Sequence, residues 1–383
     1  MRIAYVGDFI NHGGLLYTSG TSVVILTSLL EDVTSIDVFC PRLNKKLEEF
    51  ELPTKVRLFE FYKFDHPLSI LKLLRVTWKS YDTVIFNMLS TGFGNTSTAN
   101  GVGLIVPILL TKLFRQSNIR VIYHNSVFTN DVRTLGYNSA IDKIRAFFLG
   151  IVERTLFKSV STFVLLDLYK QRIDETIGKN MVQVLKSRYL EAITTLYMNK
   201  TMFVESFDIR KTDIPIIRLH GSWGPQKNIE LALSALRNVK ESEIKFKLII
   251  SGGINHHFSL YERNFNKILN SYSDIIDEYL GPVSEKKIMQ MFLDTDLLIL
   301  PYNTPGGHSG VLEQAIFFEI PTIAVDFPEY REQVNGITNI ILVKSGNLYD
   351  SIRKILTQES NVKRISIQKK ILQTIEQTKL ILV

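Results

Sequence analysis

Lys227 is the residue in this sequence best placed to hold a phosphate. It stands in Leu219-His220-Gly221-Ser222-Trp223-Gly224-Pro225-Gln226-Lys227-Asn228-Ile229-Glu230, where an apolar run ends in a Gly/Pro turn and a helical pattern begins. A cation beside the free N–H groups of a helix start suits a phosphate or diphosphate. A solvated lysine at an ordinary helix start would have the same sequence. A second anion-suited corner is Pro301-Tyr302-Asn303-Thr304-Pro305-Gly306-Gly307-His308-Ser309-Gly310, which runs into a helix near Val311. Its glycines let a ligand approach the backbone closely; the plainer alternative is a loop closed by Ser309 as an N-cap. Glu313, in the first turn of that helix, either answers the helix dipole or accepts hydrogen bonds from sugar hydroxyls. Gly13-Gly14 lies between the first apolar run and a helix, as a close-approach turn or an ordinary one. His124 ends Val121-Ile122-Tyr123-His124 and is either structural or able to exchange protons.

Two further features are weaker. Asp294-Thr295-Asp296 has the spacing of a metal-binding pair but leads straight into a buried strand, so it reads as structural and no metal is expected. In Ile70-Leu71-Lys72-Leu73-Leu74-Arg75-Val76-Thr77-Trp78-Lys79, a helix would bring Lys72, Arg75 and Lys79 to one face beside Leu71, Leu74 and Trp78. Such a helix could rest on an anionic membrane or merely cover a core.

The elements that must position these residues alternate between short apolar, β-rich runs and longer amphipathic stretches, the pattern of parallel strands joined by crossover helices. In the first half, strands are expected at Ile3–Val6, Ile36–Phe39, Thr83–Asn87, Val121–His124 and Thr162–Leu166, with helices near Thr21–Glu31, Gly103–Phe114 and Ile141–Phe157. A second unit begins near Ile214, with further strands at Lys247–Ile250, Tyr279–Leu280, Leu297–Leu300, Thr322–Val325 and Ile340–Val343. Its helices are expected at Ile229–Val239, Glu285–Leu293 and Val311–Phe318. The domains are therefore expected as 1–200, a linker at 201–213, and 214–383, with a final helix that could return to the first domain. Two doubly wound α/β domains of Rossmann type would face each other across a cleft, with ligands beyond the carboxyl ends of the strands.

Composition narrows the partners. The 383 residues, 45% hydrophobic and 22% charged, suit two globular domains. A net charge of +7 favours an anionic partner. No zinc spacing, aromatic RNA-binding pattern or basic tail accompanies it, so phosphorylated ligands or an anionic membrane surface are expected and nucleic acid is not. The one cysteine, Cys40, and a start without signal-peptide character lead to an expected cytoplasmic location, with peripheral contact at the inner face of the membrane open. The longest apolar stretch, Val102 to Leu110, is well short of the roughly 20 residues that cross a bilayer. No Gly-x-Gly-x-x-Gly follows the first strand, which argues against a dehydrogenase.

The stretch from Leu219 to Val334 resembles the donor-binding domain of glycosyltransferase family 4, GT-B enzymes also grouped as glycosyl transferases group 1. Gly221 through Lys227 resembles that family's glycine-turn-lysine segment, and Leu248-Ile249-Ile250-Ser251-Gly252-Gly253 its next strand and turn. Tyr279-Leu280-Gly281-Pro282-Val283-Ser284 resembles the base-contacting turn, and Asp296 through Pro301 the strand leading to the sugar loop. Gly310-Val311-Leu312-Glu313-Gln314-Ala315 and Ile320 through Asp326 resemble the helix and strand beyond it, and Glu332 closes the pattern. The resemblance implies a GT-B enzyme that moves a hexose-type sugar from a UDP- or GDP-linked donor to a glycan or lipid-linked glycan, retaining and metal-independent. It implies catalytic roles for His124 and Lys227, and donor contacts from Gly13, Gly14, Ser222, Gly253, Val283, His308, Ser309, Gly310 and Glu313. The nucleotide sugar is then a co-substrate and no cofactor is needed. Ser222 stands where the family commonly has an arginine, and Pro305 where it has the first of two glutamates. Those departures keep open a non-catalytic nucleotide-sugar-binding subunit, or an epimerase or hydrolase of the same fold.

Overall fold

The computed structural model describes residues 1–9, 17–42, 51–88, 92–94, 96–115, 118–129, 140–185, 189–202, 206–209, 214–304, 307–357, 363–366, 368–379 and 381–382. The chain divides into two compact units, Met1–Thr194 with Leu372–Val383, and Thr195–Ile371. Gly13, Gly14 and Pro305 lie outside the described residues.

The first unit runs β1 (Arg2–Val6), α1 (Tyr17–Ser28), β2 (Ser35–Pro41), β3 (Val56–Tyr62), α2 (Pro67–Ile70), β4 (Thr83–Met88), α3 (Ser97–Lys112), β5 (Ile119–Tyr123), α4 (Ala140–Ser159), β6 (Ser161–Val164), α5 (Asp167–Ile177), β7 (Gln183–Val184) and α6 (Leu190–Met198). Its seven strands form one sheet in the order β3-β2-β1-β4-β5-β6-β7, and every pairing is parallel. Central strands such as Thr83-Val84-Ile85-Phe86-Asn87-Met88 are buried along their whole length, as a sheet covered on both faces requires. β3 is not among the expected strands because Val-Arg-Leu-Phe-Glu-Phe-Tyr mixes charge into its apolar positions. It lies at the sheet edge, where Phe59 stays 40% exposed.

The second unit contains β8 (Ser206–Ile209), β9 (Ile216–His220), α7 (Ile229–Glu241), β10 (Lys247–Ser251), α8 (Glu262–Ser271), β11 (Glu278–Tyr279), α9 (Glu285–Leu293), β12 (Leu297–Leu300), α10 (Gly310–Phe317), β13 (Thr322–Val325), α11 (Pro328–Gln333), β14 (Ile340–Val343), α12 (Leu348–Leu356) and β15 (Lys363–Ser366), with α13 (Gln368–Lys379) following. Six parallel strands form its sheet, in the order β11-β10-β9-β12-β13-β14. Ile217, Leu219, Leu248, Ile250, Leu297 and Ile299 pack its core against Ala232, Leu233 and Leu236 of α7. The segment expected as a linker lies inside this unit. Within it β8 pairs antiparallel with β15, a partner more than 150 positions away that no local pattern announces.

Each sheet reverses its winding once, between β1 and β4 in the first and between β9 and β12 in the second. At such a switch point the two neighbouring strands send their connections to opposite sides, which opens a crevice at their carboxyl ends.

One expected feature is corrected. Ile70 to Lys79 is not one helix: α2 passes into a 3-10 turn over Leu71–Arg75, Val76 turns extended at φ −73°, ψ 140°, and a separate turn covers Trp78–Ser80. Trp78 is 2% exposed, donates from Nε1 to the Leu73 carbonyl at 2.9 Å, and packs its ring on Phe39 and Phe86. Burying that indole breaks the helical register, so Lys72, Arg75 and Lys79 do not share the face expected of them.

Candidate functional site

In the second unit the site is built from turns that leave the carboxyl edge of the sheet. After β9, the turn 221–224 is fastened to the turn after β10: Trp223 donates its amide to the Gly253 carbonyl and accepts from the Asn255 amide, each at 2.8 Å. Gly252 permits this approach. Its φ is +104°, and a Cβ there would fall 1.8 Å from the Gly221 carbonyl oxygen, so no other residue fits. The Gly252 amide then donates to the Gly281 carbonyl at 2.6 Å, and Gly253 lies against Pro282, which brings the half-buried Val283 turn alongside. The turn expected to hold the base is thereby joined edge to edge with the glycine turn after β10.

Lys227 ends a 3-10 turn, Pro225–Lys227, and Asn228 in the left-handed region (φ 43°, ψ 47°) redirects the chain into α7. Its ammonium stands 3.5 Å from the centroid of the Tyr302 ring, across the switch point on the loop after β12. The Asn303 amide donates to the Gln226 carbonyl at 3.0 Å, so the two loops hold each other in place. Burial lowers the Lys227 pKa to about 7, and among the described residues no carboxylate pairs with it. Tyr302 is 1% exposed, its hydroxyl has no partner among the described residues, and burial pushes its pKa well up. A cation desolvated on an aromatic face and left without an anion is costly, and an arriving diphosphate would relieve that cost. His220, at the end of β9, is held neutral by burial at about 3 and bonds Ser251 Oγ at 2.9 Å, a framework role.

The loop ahead of α10 carries the third group. Ser309 is its N-cap, accepting from the Leu312 amide at 3.3 Å, while its own amide donates to Gln333 Oε1 at 3.1 Å. Gln333, beside the expected Glu332, therefore fixes this loop from α11. Glu313 is 1% exposed, and its Oε2 lies 3.3 Å from His308 Nε2. Burial holds His308 at about 4, outweighing the pull of that carboxylate, so the ring is neutral near neutral pH. The unit thus carries Gly253, Val283, Lys227, His308 and Ser309 on adjoining loops and Gly310 and Glu313 in the first turn of α10, with the exposed Ser222 on the turn after β9. Residues 294–296 are structural: Asp296 accepts from the Ile216 amide at 2.8 Å, and Thr295 accepts from Arg218 Nε at 2.9 Å. Among the described residues, no three His, Cys, Asp or Glu side chains are grouped to hold a metal.

In the first unit, His124 is 6% exposed at the carboxyl end of β5, with Nε2 2.8 Å from Asn87 Oδ1 on β4. An amide oxygen only accepts, so in this pair Nε2 donates and Asn87 orients the ring. Asp8 follows β1 at the same edge, 5% exposed, with Oδ1 unpartnered among the described residues; burial raises its pKa to about 7. The loop after His124 is clamped from α4: Glu153 accepts from Tyr123 Oη at 2.7 Å, from the Val127 amide at 3.1 Å and from Ser126 Oγ. Sequence reasoning did not single out Tyr302, Gln333, Asn87 or Asp8. The one available signal was position, since each but Gln333 stands at or just beyond the end of a strand beside a switch point.

Residues 205–371 match the family of glycosyl transferases group 1. None of the curated proteins matches the chain by sequence. Among solved structures, WaaG, a glycosyltransferase involved in lipopolysaccharide biosynthesis, is similar at 13% identity and a TM-score of 0.61, over 99% of this chain and 94% of that one. Sucrose-phosphate synthase of Thermosynechococcus elongatus is similar at 13% identity and 0.63, over 100% and 95%. HepE of Anabaena, in complex with UDP and glucose, is similar at 14% identity and 0.61, over 100% and 94%. At these identities the likeness concerns the fold, two parallel-sheet domains of the GT-B kind. The chain has the GT-B fold, and its residues 205–371 match the family of glycosyl transferases group 1.

Proposed function

We propose that the enzyme transfers a hexose from a nucleoside diphosphate sugar to a glycan or lipid-linked glycan, with retention and without a metal, as expected of glycosyltransferase family 4. The observation that carries this reading is Lys227, desolvated on the Tyr302 ring with no carboxylate paired to it among the described residues. The order of the sheet edge supports it. From β11 to β12 the turns present Val283, Gly253, Lys227 and then the His308–Glu313 loop, across three strand spacings or about 14 Å. A nucleotide sugar laid along that edge would meet base, diphosphate and sugar contacts in its own chemical order.

Departure of the nucleotide leaves negative charge on the diphosphate, and in this reading the Lys227 ammonium and the N-terminal N–H groups of α10 receive it. That charge is available from the protein alone, which supports the metal-independent reading. Glu313, held by its helix and against His308, is the sugar contact of this proposal, and His124 the catalytic residue of the first unit. A uridine donor is favoured by HepE, whose structure holds UDP and glucose. The test is a thermal-shift panel of uridine, guanosine and adenosine diphosphate sugars, followed by analysis of product anomers. A uridine donor that stabilises the protein and yields a retained linkage is the expected result. Absence of any shift, or products consisting of an epimerised nucleotide sugar, would refute it.

A further inference from the structure

Helix α4 is apolar on two opposite faces. At 3.6 residues per turn, Ala146, Leu149, Leu156 and Phe157 form one stripe, buried to 8% exposure or less, and Glu153 sits among them clamping the loop after His124. Ile141, Ile144, Phe147, Phe148 and Ile151 form a second stripe about 180° away, exposed by 63%, 58%, 66%, 61% and 48%. These are five of the large apolar side chains that the protein leaves most open to water, on one helix and in one line. Phe147 and Phe148 add an edge-to-face pair at 5.8 Å. A contiguous patch of this kind, on the order of several hundred Å², marks an interaction surface rather than scattered surface residues.

The charges beside it identify the partner. Exposed Lys143 and Arg154 border the stripe on one side and Arg145 on the other, with Lys158 two turns beyond Ile151. All four are basic, on a chain of formal charge +7. An apolar stripe flanked by long cationic side chains is the arrangement of a helix lying in a membrane interface, with its stems along the acyl boundary and its charges at the phosphates. Pairing this stripe with that of a second copy would set like charges against each other.

We propose that the outer face of α4 docks on an anionic lipid bilayer. It rests on the proposed lipid-linked acceptor for its purpose, while its evidence is the helix alone. Of the two readings left open for residues 70–79, the structure gives the core-covering one, with Ile70, Leu73 and Trp78 buried, and the membrane contact proposed here lies on α4 instead. Because the inner face of the same helix holds the loop after His124 through Glu153, docking would bring the first domain's candidate catalytic end to the surface that carries the acceptor.

The test is co-sedimentation of the full chain with vesicles of equimolar phosphatidylglycerol and phosphatidylcholine, and with phosphatidylcholine alone. The wild type should bind the anionic vesicles at least about tenfold more strongly than the neutral ones. F147S/F148S should lose about tenfold or more of that binding with an unchanged circular dichroism spectrum, since both rings face water. K143S/K158S should lose the preference for anionic lipid. A wild type that stays in the supernatant with anionic vesicles, or variants that bind as the wild type does, would overturn the proposal. So would light scattering that shows a wild-type dimer and an F147S/F148S monomer. Stabilisation by uridine diphosphate, measured without vesicles, separates the two readings. Docking with no such stabilisation sinks the donor assignment alone, and stabilisation with no docking sinks the present one alone.

Discussion

Replacing Lys227 with methionine should stabilise the protein while weakening its grip on nucleotide. Burial lowers this lysine from its ordinary 10.5 to about 7. Between those values the unfolded chain binds more protons than the native one, so native stability rises with pH across that window, and the full penalty is present at or below about pH 7. The drop corresponds to about 5 kcal/mol as an upper bound. Lys227 is only half-buried, and the Tyr302 ring returns part of the cost, which leaves on the order of 1–3 kcal/mol. Methionine keeps the length and the contact with the ring without the charge. Differential scanning calorimetry at about pH 7 should therefore show K227M melting higher than wild type by about 2 °C or more. Titration with uridine diphosphate should show Kd raised by about 30-fold to 150-fold, the loss of one charge-assisted contact of about 2–3 kcal/mol. A variant that melts lower, or that binds the nucleotide as wild type does, would refute the assignment of Lys227 as a phosphate ligand held in readiness.

Three other outcomes follow from the same geometry. Gly252→Ala places a methyl 1.8 Å from the Gly221 carbonyl at a φ of +104°, so the turns must separate; nucleotide binding measured by calorimetry should fall at least about tenfold, whereas Gly281→Ala, which meets nothing within 4 Å, should cost far less. Asp8 is raised from 3.8 to about 7, so its carboxyl adds a penalty that grows as pH rises through that range and is complete above about pH 7. Asp8→Asn should then raise the melting temperature at about pH 8, by on the order of 2–4 kcal/mol in stability, and change it little near pH 4; equal gains at both pH values would show that ionisation is not the cause. His124→Gln should cut transfer by about a hundredfold or more, with Kd for the donor nucleotide unchanged, and Asn87→Ala should lower kcat less, through loss of the 2.8 Å bond that fixes the ring; full activity in His124→Gln would remove its catalytic role.

Both doubly wound sheets were legible because their inner strands are unbroken apolar runs. A strand such as Leu297-Leu298-Ile299-Leu300, buried along its length, can be little else. β3 and β8 were not, since an edge strand carries charge and a strand paired with residues more than 150 positions away leaves no local trace. The Lys227 turn and the Ser309 cap could be read from glycine, proline and capping chemistry. Tyr302 could not, because an aromatic residue after a strand ordinarily fills a core, and its place beneath the Lys227 ammonium depends on two loops 75 positions apart meeting at the switch point. The Ile70–Lys79 periodicity misled for a related reason: its spacing fits a helix, but one indole packs better in the core. Helix α4 is apolar on two opposite faces, and its sequence does not say which of the two the core takes.

The claim on which the rest depends is that Lys227 takes up a proton when it grips a diphosphate. Calorimetric titration with uridine diphosphate at about pH 8.5, in buffers of different ionisation enthalpy, counts that proton directly. A lysine lowered when free that becomes an ion-paired ammonium on binding should draw protons from the buffer, and K227M should draw none. Binding with no proton uptake by the wild type, or the same uptake by K227M, would contradict the account.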